Sequence, residues 1–158
     1  MKIRVGMGYD VHKFAEGREL WLGGIKIAHT HGLVGHSDAD VLIHAICDAL
    51  LGAANLRDIG YHFPDTSDDF LSIDSKILLR KTTDFLAEKG WRVGNVDVTV
   101  CAECPKLTPY IESMKSCLAP LMDIVIEDIS IKATTTEQLG FTGRKEGLSA
   151  YAVALIEK

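Results

Sequence analysis

From residue 3 to about residue 12, apolar positions alternate with polar or small ones. A period of two is that of a β-strand, so the chain is predicted to open with one. Leu20, Trp21 and Leu22 face Ile25, Lys26 and Ile27 across Gly23-Gly24, a pair suited to a two-residue hairpin turn at positive φ. Between residues 38 and 54 the spacing changes. Val41, Leu42, Ala45, Ile46, Ala49 and Leu50 recur at helical intervals, with Ser37 or Asp38 available as the cap. Residues 55–72 follow neither period and are rich in turn formers, so they are predicted to be a long loop, a kind of segment that often carries function. A helix over 75–88, closed by Gly90, precedes a β-branched run over 93–102 with Val96, Val98 and Val100 on one face. A helix over 107–121 and strands over 129–133 and 148–156 complete the pattern.

Strands alternating with helices imply an α+β fold (α/β two-layer), with helices packed on one face of a mixed sheet of four strands. The pattern leaves the choice of parallel or antiparallel pairing open. The 158 residues, 47% of them hydrophobic, suit a single domain over 1–158. A net charge of -5 lacks the basic footprint that a nucleic-acid partner requires and is compatible with a small anionic ligand. No secretory leader and no apolar run long enough for a membrane span are visible, so the expected location is the cytoplasm, or the plastid stroma for a mature plant form. Of the four cysteines, only Cys101 and Cys104 stand two residues apart, and reduced core thiols are a better reading than a zinc knuckle or disulfide framework.

Four constellations carry candidate chemistry. Asp10 and His12, two apart on a strand, project to the same side and offer a carboxylate and an imidazole to a divalent metal. His36-Ser37-Asp38-Ala39-Asp40 leads into a helix on which Asp40, His44 and Asp48 share a stripe, so His44 is a candidate third ligand with a neighbouring acid fixing its tautomer. One Asp and two His leave a tetrahedral zinc with an open fourth position, the arrangement of a Lewis-acid site. Read singly, each of the three has a plainer structural explanation; the combination favours a metal. Lys132-Ala133-Thr134-Thr135-Thr136-Glu137, followed by Gly140-Phe141-Thr142-Gly143-Arg144, offers hydroxyls, amides and a cation to phosphate oxygens. Ala102-Glu103-Cys104-Pro105-Lys106 ends a predicted strand where backbone groups could meet the edge of a planar base.

Together with Asp58-Ile59-Gly60 and Phe63-Pro64-Asp65, and in this order, these motifs resemble the 2-C-methyl-D-erythritol 2,4-cyclodiphosphate synthase family from near Arg4 to near Ile156. The resemblance implies a homotrimer with active sites between subunits. The implied activity is closure of a cyclic diphosphate from 4-diphosphocytidyl-2-C-methyl-D-erythritol 2-phosphate with release of CMP, in the non-mevalonate route to isoprenoid precursors. By the same likeness Asp10, His12 and His44 match zinc ligands, and Glu137 matches the residue holding magnesium or manganese. His36, Ser37 and Thr135 match phosphate contacts, and His36 and Thr135 stand with the metal ligands as the catalytic set. Asp58, Gly60 and Asp65 match positions around the methylerythritol portion, Ala102, Pro105, Lys106 and Thr134 the cytidine pocket, and Phe141 and Arg144 further substrate contacts.

Two departures stand out: Ala39 replaces a glycine common between the two aspartates, and Tyr61-His62 fills a variable stretch. Ala39 suits a helix start but not a backbone that needs positive φ. Tyr9, Phe141, Arg144 and Tyr151 lie near positions that in some relatives line a cavity on the threefold axis able to hold isoprenoid diphosphates, and Tyr151 replaces an acidic residue there. The competing readings are a zinc phosphohydrolase with Asp38 or Asp40 as general base, and a non-catalytic nucleotide-binding or metal-binding module.

Overall fold

The computed structural model describes residues 1–158, the side chain of Asp69 excepted. Its sheet is mixed and has five strands rather than four. β1 (Ile3–Glu16) pairs antiparallel with β7 (Gly147–Glu157) over the run from Ile3↔Glu157 to Lys13↔Gly147. β7 pairs antiparallel with β5 (Arg92–Cys101), and β5 pairs parallel with β6 (Ile129–Thr134). The fifth strand, β4 (His31–Leu33), lies antiparallel on the outer edge of β1. Three residues are too few to show a period, which is why the hydrophobic pattern passes over it.

The hairpin of β2 (Leu20–Leu22) and β3 (Ile25–Ile27) turns at Gly23 and Gly24, with φ of 60° and 77°. Both glycine N–H groups donate to the carboxylate of Asp40, at 3.0 and 2.7 Å. Asp40 also accepts from Ile43 N at 3.0 Å, so it is the cap of α1 (Val41–Ala54), in place of Ser37 or Asp38. One wholly buried carboxylate therefore fixes the hairpin to the helix start.

Twelve of the 14 residues of α1 are buried, so this helix is central and has almost no solvent face. It lies close against β1: a Cβ on Gly8 would come within 2.0 Å of Ala45 O, and one on Gly6 within 2.0 Å of Ala49 O. β7 meets the same helix through buried Ala150, Ala152 and Ala154, which explains a strand so rich in alanine. α3 (Ser75–Glu88) packs on α1, and α4 (Ile111–Met122) on α3. The predicted loop contains a one-turn helix, α2 (Ile59–His62), and α5 (Gly140–Gly143) precedes β7.

Small residues take the helix side of β1, so its large apolar residues fall on the opposite face. Val5 is 64% exposed and Met7 62%, flanked by Ile3, Tyr9 and Val11 and by Tyr151 and Val153 of β7. A contiguous apolar stripe on an uncovered sheet face is the signature of an interaction surface.

Ala39 has φ of 58° and is wholly buried. A left-handed alanine costs about 1–2 kcal/mol. Against this, glycine there would lose the buried methyl, about 0.8 kcal/mol, and add about 0.4–1 kcal/mol of unfolded-state entropy. Ala39→Gly is therefore expected to shift stability by less than about 1 kcal/mol in either direction, whereas Ala39→Val, overpacked and β-branched, is expected to lose about 3 kcal/mol. Urea unfolding midpoints of the two variants check this, and equal losses would refute it.

Candidate active site

Asp10 and His12 project from the helix side of β1, and α1, drawn in by Gly8, brings His44 against them. Asp10 Oδ2 lies 3.0 Å from His12 Nε2 and 3.0 Å from His44 Nδ1, and the two ring nitrogens are 3.2 Å apart. Tetrahedral bonds of about 2.0–2.1 Å place neighbouring ligand atoms about 3.3 Å apart, so this triangle fits a cation of zinc's size with a fourth corner open. Among the described residues it is the one group of three or more such ligands that converges. The remote ring nitrogens are engaged as metal-ligating imidazoles require. His12 Nδ1 donates to Val34 O at 2.7 Å, and His44 Nε2 lies 2.9 Å from Ser75 Oγ and 3.1 Å from Ser37 Oγ.

Burial works against ionisation of Asp10, but the hydrogen bonds and charges of His12 and His44 outweigh it and hold its carboxyl well below the usual carboxylate range. Burial likewise disfavours protonated His12, and here Asp10 prevails and raises the imidazole above 6.5. In the metal-free protein His12 therefore keeps its proton to higher pH, while Asp10 stays ionised throughout. A divalent cation bound at the triangle must displace that proton. Its affinity is expected to begin falling while the pH is still above 6.5, at about tenfold per unit, and to level off at higher pH. Chelator competition across this range measures the slope; a flat profile would remove His12 from the ligand set.

A cleft of about 270 Å³ opens beside the triangle, and His36, Ser37, Gly60 and Asp65 line it together with His12 and His44. His36 Nε2 donates to Ser67 O at 2.9 Å, and Ser72 N donates to His36 O at 2.7 Å, which laces the following loop over the cleft. Asp48 accepts from Ile59 N at 2.8 Å, so it holds α2 rather than orienting His44. Asp58 caps α2, accepting from Tyr61 N at 3.2 Å, and stands outside the lining. Asp38 and Asp40 are both committed to backbone donors, and neither is free to serve a hydrolase as general base.

A second cleft, about 330 Å³, is lined by Ala102, Glu103, Pro105, Lys106, Thr134 and Thr135 among others. Glu103 was visible in the sequence only as part of a strand end. Its carboxylate accepts from Thr136 N at 2.9 Å and Gln138 N at 3.3 Å, folding a loop in which Glu137 and Gln138 have φ of 53° and 64°. No local signal announces this role, because the partners lie more than thirty residues away in sequence. Glu137 stands on that loop, 3.3 Å from Thr135 Oγ1, and not with the triangle. Cross-strand register puts Val11, Ser149, Cys101 and Thr134 in one row, so both clefts open at the same end of the sheet, three strand spacings or about 14 Å apart. Arg144 pairs with Glu146 at 3.0 Å, and neither it nor Phe141 lines either cleft. All four cysteines are free thiols, and burial pushes Cys47 up to about 12.

The model of the YgbB family matches residues 3–157. A 2-C-methyl-D-erythritol 2,4-cyclodiphosphate synthase of Phocaeicola vulgatus is 70% identical over 158 residues, covering 100% of this chain and 99% of the relative. One of the same name from Bacteroides thetaiotaomicron is 68% identical with the same coverage. Among solved structures, a CDP complex of IspF from Plasmodium falciparum superposes with a TM-score of 0.85 at 35% identity, over 98% of this chain and 95% of that one.

Proposed function

Because the chain belongs to the YgbB family, we propose that it acts as a 2-C-methyl-D-erythritol 2,4-cyclodiphosphate synthase through the two clefts described above. It is a phosphorus–oxygen lyase of isoprenoid precursor synthesis. An oxygen of the substrate's 2-phosphate bonds to the β-phosphorus of the cytidine diphosphate. The bond from that phosphorus to the bridging oxygen breaks, and CMP leaves with the electron pair. The eight-membered cyclic diphosphate closes without consuming water.

The nucleophile is already anionic, so the protein supplies position and charge rather than a strong base. Asp10, His12 and His44 would hold zinc and Glu137 magnesium or manganese, and such cations lend Lewis-acid stabilisation to charge on phosphoryl oxygens when bound. Ser37 and His36 would donate to phosphate oxygens in the first cleft, with Gly60 and Asp65 against the methylerythritol chain and Asp58 shaping α2 beside it. Backbone groups of Ala102, Pro105 and Lys106, with Thr134, would hold the cytidine, and Thr135 a phosphate. Phe141 and Arg144 follow Glu137 by four and seven residues and would border the same phosphates.

We further assign residues 1–158 as one catalytic domain that works as a homotrimer in the cytoplasm, with each active site shared between neighbouring subunits. Two observations support the shared site: substrate residues divide between clefts on different strands, and β1 and β7 carry the bare apolar stripe. No helix is long and apolar enough to cross a membrane.

The observation that carries the reading is the Asp10, His12 and His44 triangle set in a chain matched along its whole length. Phosphorus NMR of the protein with zinc, magnesium and the diphosphocytidyl substrate tests it. Equal amounts of CMP and a cyclic diphosphate are expected. A linear product carrying oxygen-18 from solvent water would establish the hydrolase instead.

A further inference from the structure

We propose that Ser75, held by Asp38, is the positioning residue of the metal centre, fixing His44 as the tautomer whose Nδ1 lone pair faces Asp10 and His12. The proposal rests on the reading of that triangle as a zinc site. Ser75 opens α3, 31 residues after His44, and is wholly buried.

Its hydroxyl has one proton and two directions to satisfy. On one side it meets Asp38 Oδ1 in a close contact; on the other it lies 2.9 Å from His44 Nε2. Asp38 acts only as an acceptor here. Its Oδ2 takes Ser75 N–H at 2.9 Å, and its Oδ1 takes Asp40 N–H at 3.2 Å. The serine proton therefore goes to the carboxylate, and a lone pair is left facing the imidazole. That contact is a hydrogen bond only if Nε2 carries the proton, which leaves the lone pair of the neutral ring on Nδ1.

Ser37 cannot make this choice. Its oxygen, 3.1 Å from the same nitrogen, accepts Ala39 N–H at 3.1 Å, and its own proton is uncommitted. Ser75 alone has its proton bound by an acid.

The relay also ties the metal centre to the seat of α3. Asp38 N donates to Ile73 O at 3.1 Å, and with Ser72 N on His36 O these bonds join the residues before α3 to those before α1. The hydroxyl that selects the tautomer is thus delivered by the segment that closes the first cleft.

The test compares zinc-loaded wild type, Ser75→Ala and Asp38→Asn by chelator competition, with melting temperatures of the metal-free proteins measured in parallel. Both variants are expected to hold zinc about 10–100-fold more weakly. Asp38→Asn keeps the serine and the side-chain volume, so it reads the relay without a packing defect. Lower melting temperatures with zinc affinity unchanged would show a structural role only and overturn the proposal. Asp10→Ala is run alongside: zinc binding that survives it overturns the metal centre itself, and the proposal with it. Independently of any variant, long-range proton–nitrogen correlation on zinc-loaded wild type is expected to show His44 protonated at Nε2. A proton on Nδ1 would overturn the assignment.

Discussion

Asp10→Ala and His44→Ala are each expected to lower kcat by about 1000-fold or more, the loss of a few kcal/mol of charge stabilisation at the reacting phosphoryl group. Neither change should unfold the protein. Asp10 sits where two imidazoles gather round it, so its removal leaves rings that can take water in place of the carboxylate. Asp40→Ala gives the contrast: it strips the acceptor from Gly23 N, Gly24 N and Ile43 N at once and should reduce stability by about 2 kcal/mol or more. Turnover with the cyclic product, bound zinc by metal analysis and thermal melting are the three readouts. Wild-type turnover in either triangle variant would sink the ligand assignment, and an unfolded Asp10→Ala protein would show that the carboxylate is structural.

Much of this site was legible in the sequence because its chemistry is local. Asp10-Val11-His12 needs only the period of a strand, and His44 needs only the helix that begins after the HSDAD run. The elements with strong periods, α1, α3 and β5, appear with bounds close to those predicted. What the pattern hides is what depends on distant partners. Asp38, Asp40 and Asp48 look alike as acids near His44, yet one serves Ser75, one the hairpin at Gly23-Gly24, and one α2. Glu103 folds a loop more than thirty residues on.

β1 is the instructive case. Its alternation is plain, but the small residues rather than the large ones meet the helix, because Gly6 and Gly8 let α1 approach within van der Waals contact of the strand. Close approach is what brings His44 to Asp10 and His12, so the same substitution of glycine for bulk that builds the metal triangle also turns Val5 and Met7 outward. The bare face and the site have one cause. Ala39, by contrast, adopts the positive φ for which glycine is suited, a strain that the sequence raises as a question and the backbone answers.

That exposed stripe leads to the second large effect. His44→Ala destroys the triangle of a chain and leaves its second cleft intact; Glu137→Ala does the reverse. On the proposed shared-site homotrimer, each variant alone should be nearly inactive, since every site then contains one damaged half. In trimers assembled at random from equal amounts of both chains, a site draws its triangle from an undamaged donor half of the time and its Glu137 loop from an undamaged donor half of the time. About one quarter of the sites are then intact, and activity should recover to about one quarter of wild type. A site contained within one chain allows no such recovery, because every chain in the mixture carries a lesion. Mixed assemblies made by co-refolding, with turnover measured per subunit, separate the two cases: activity fixed at the level of the parents would return both clefts to a single chain, about 14 Å apart across β7 and β5, and leave the apolar face of β1 without a catalytic role.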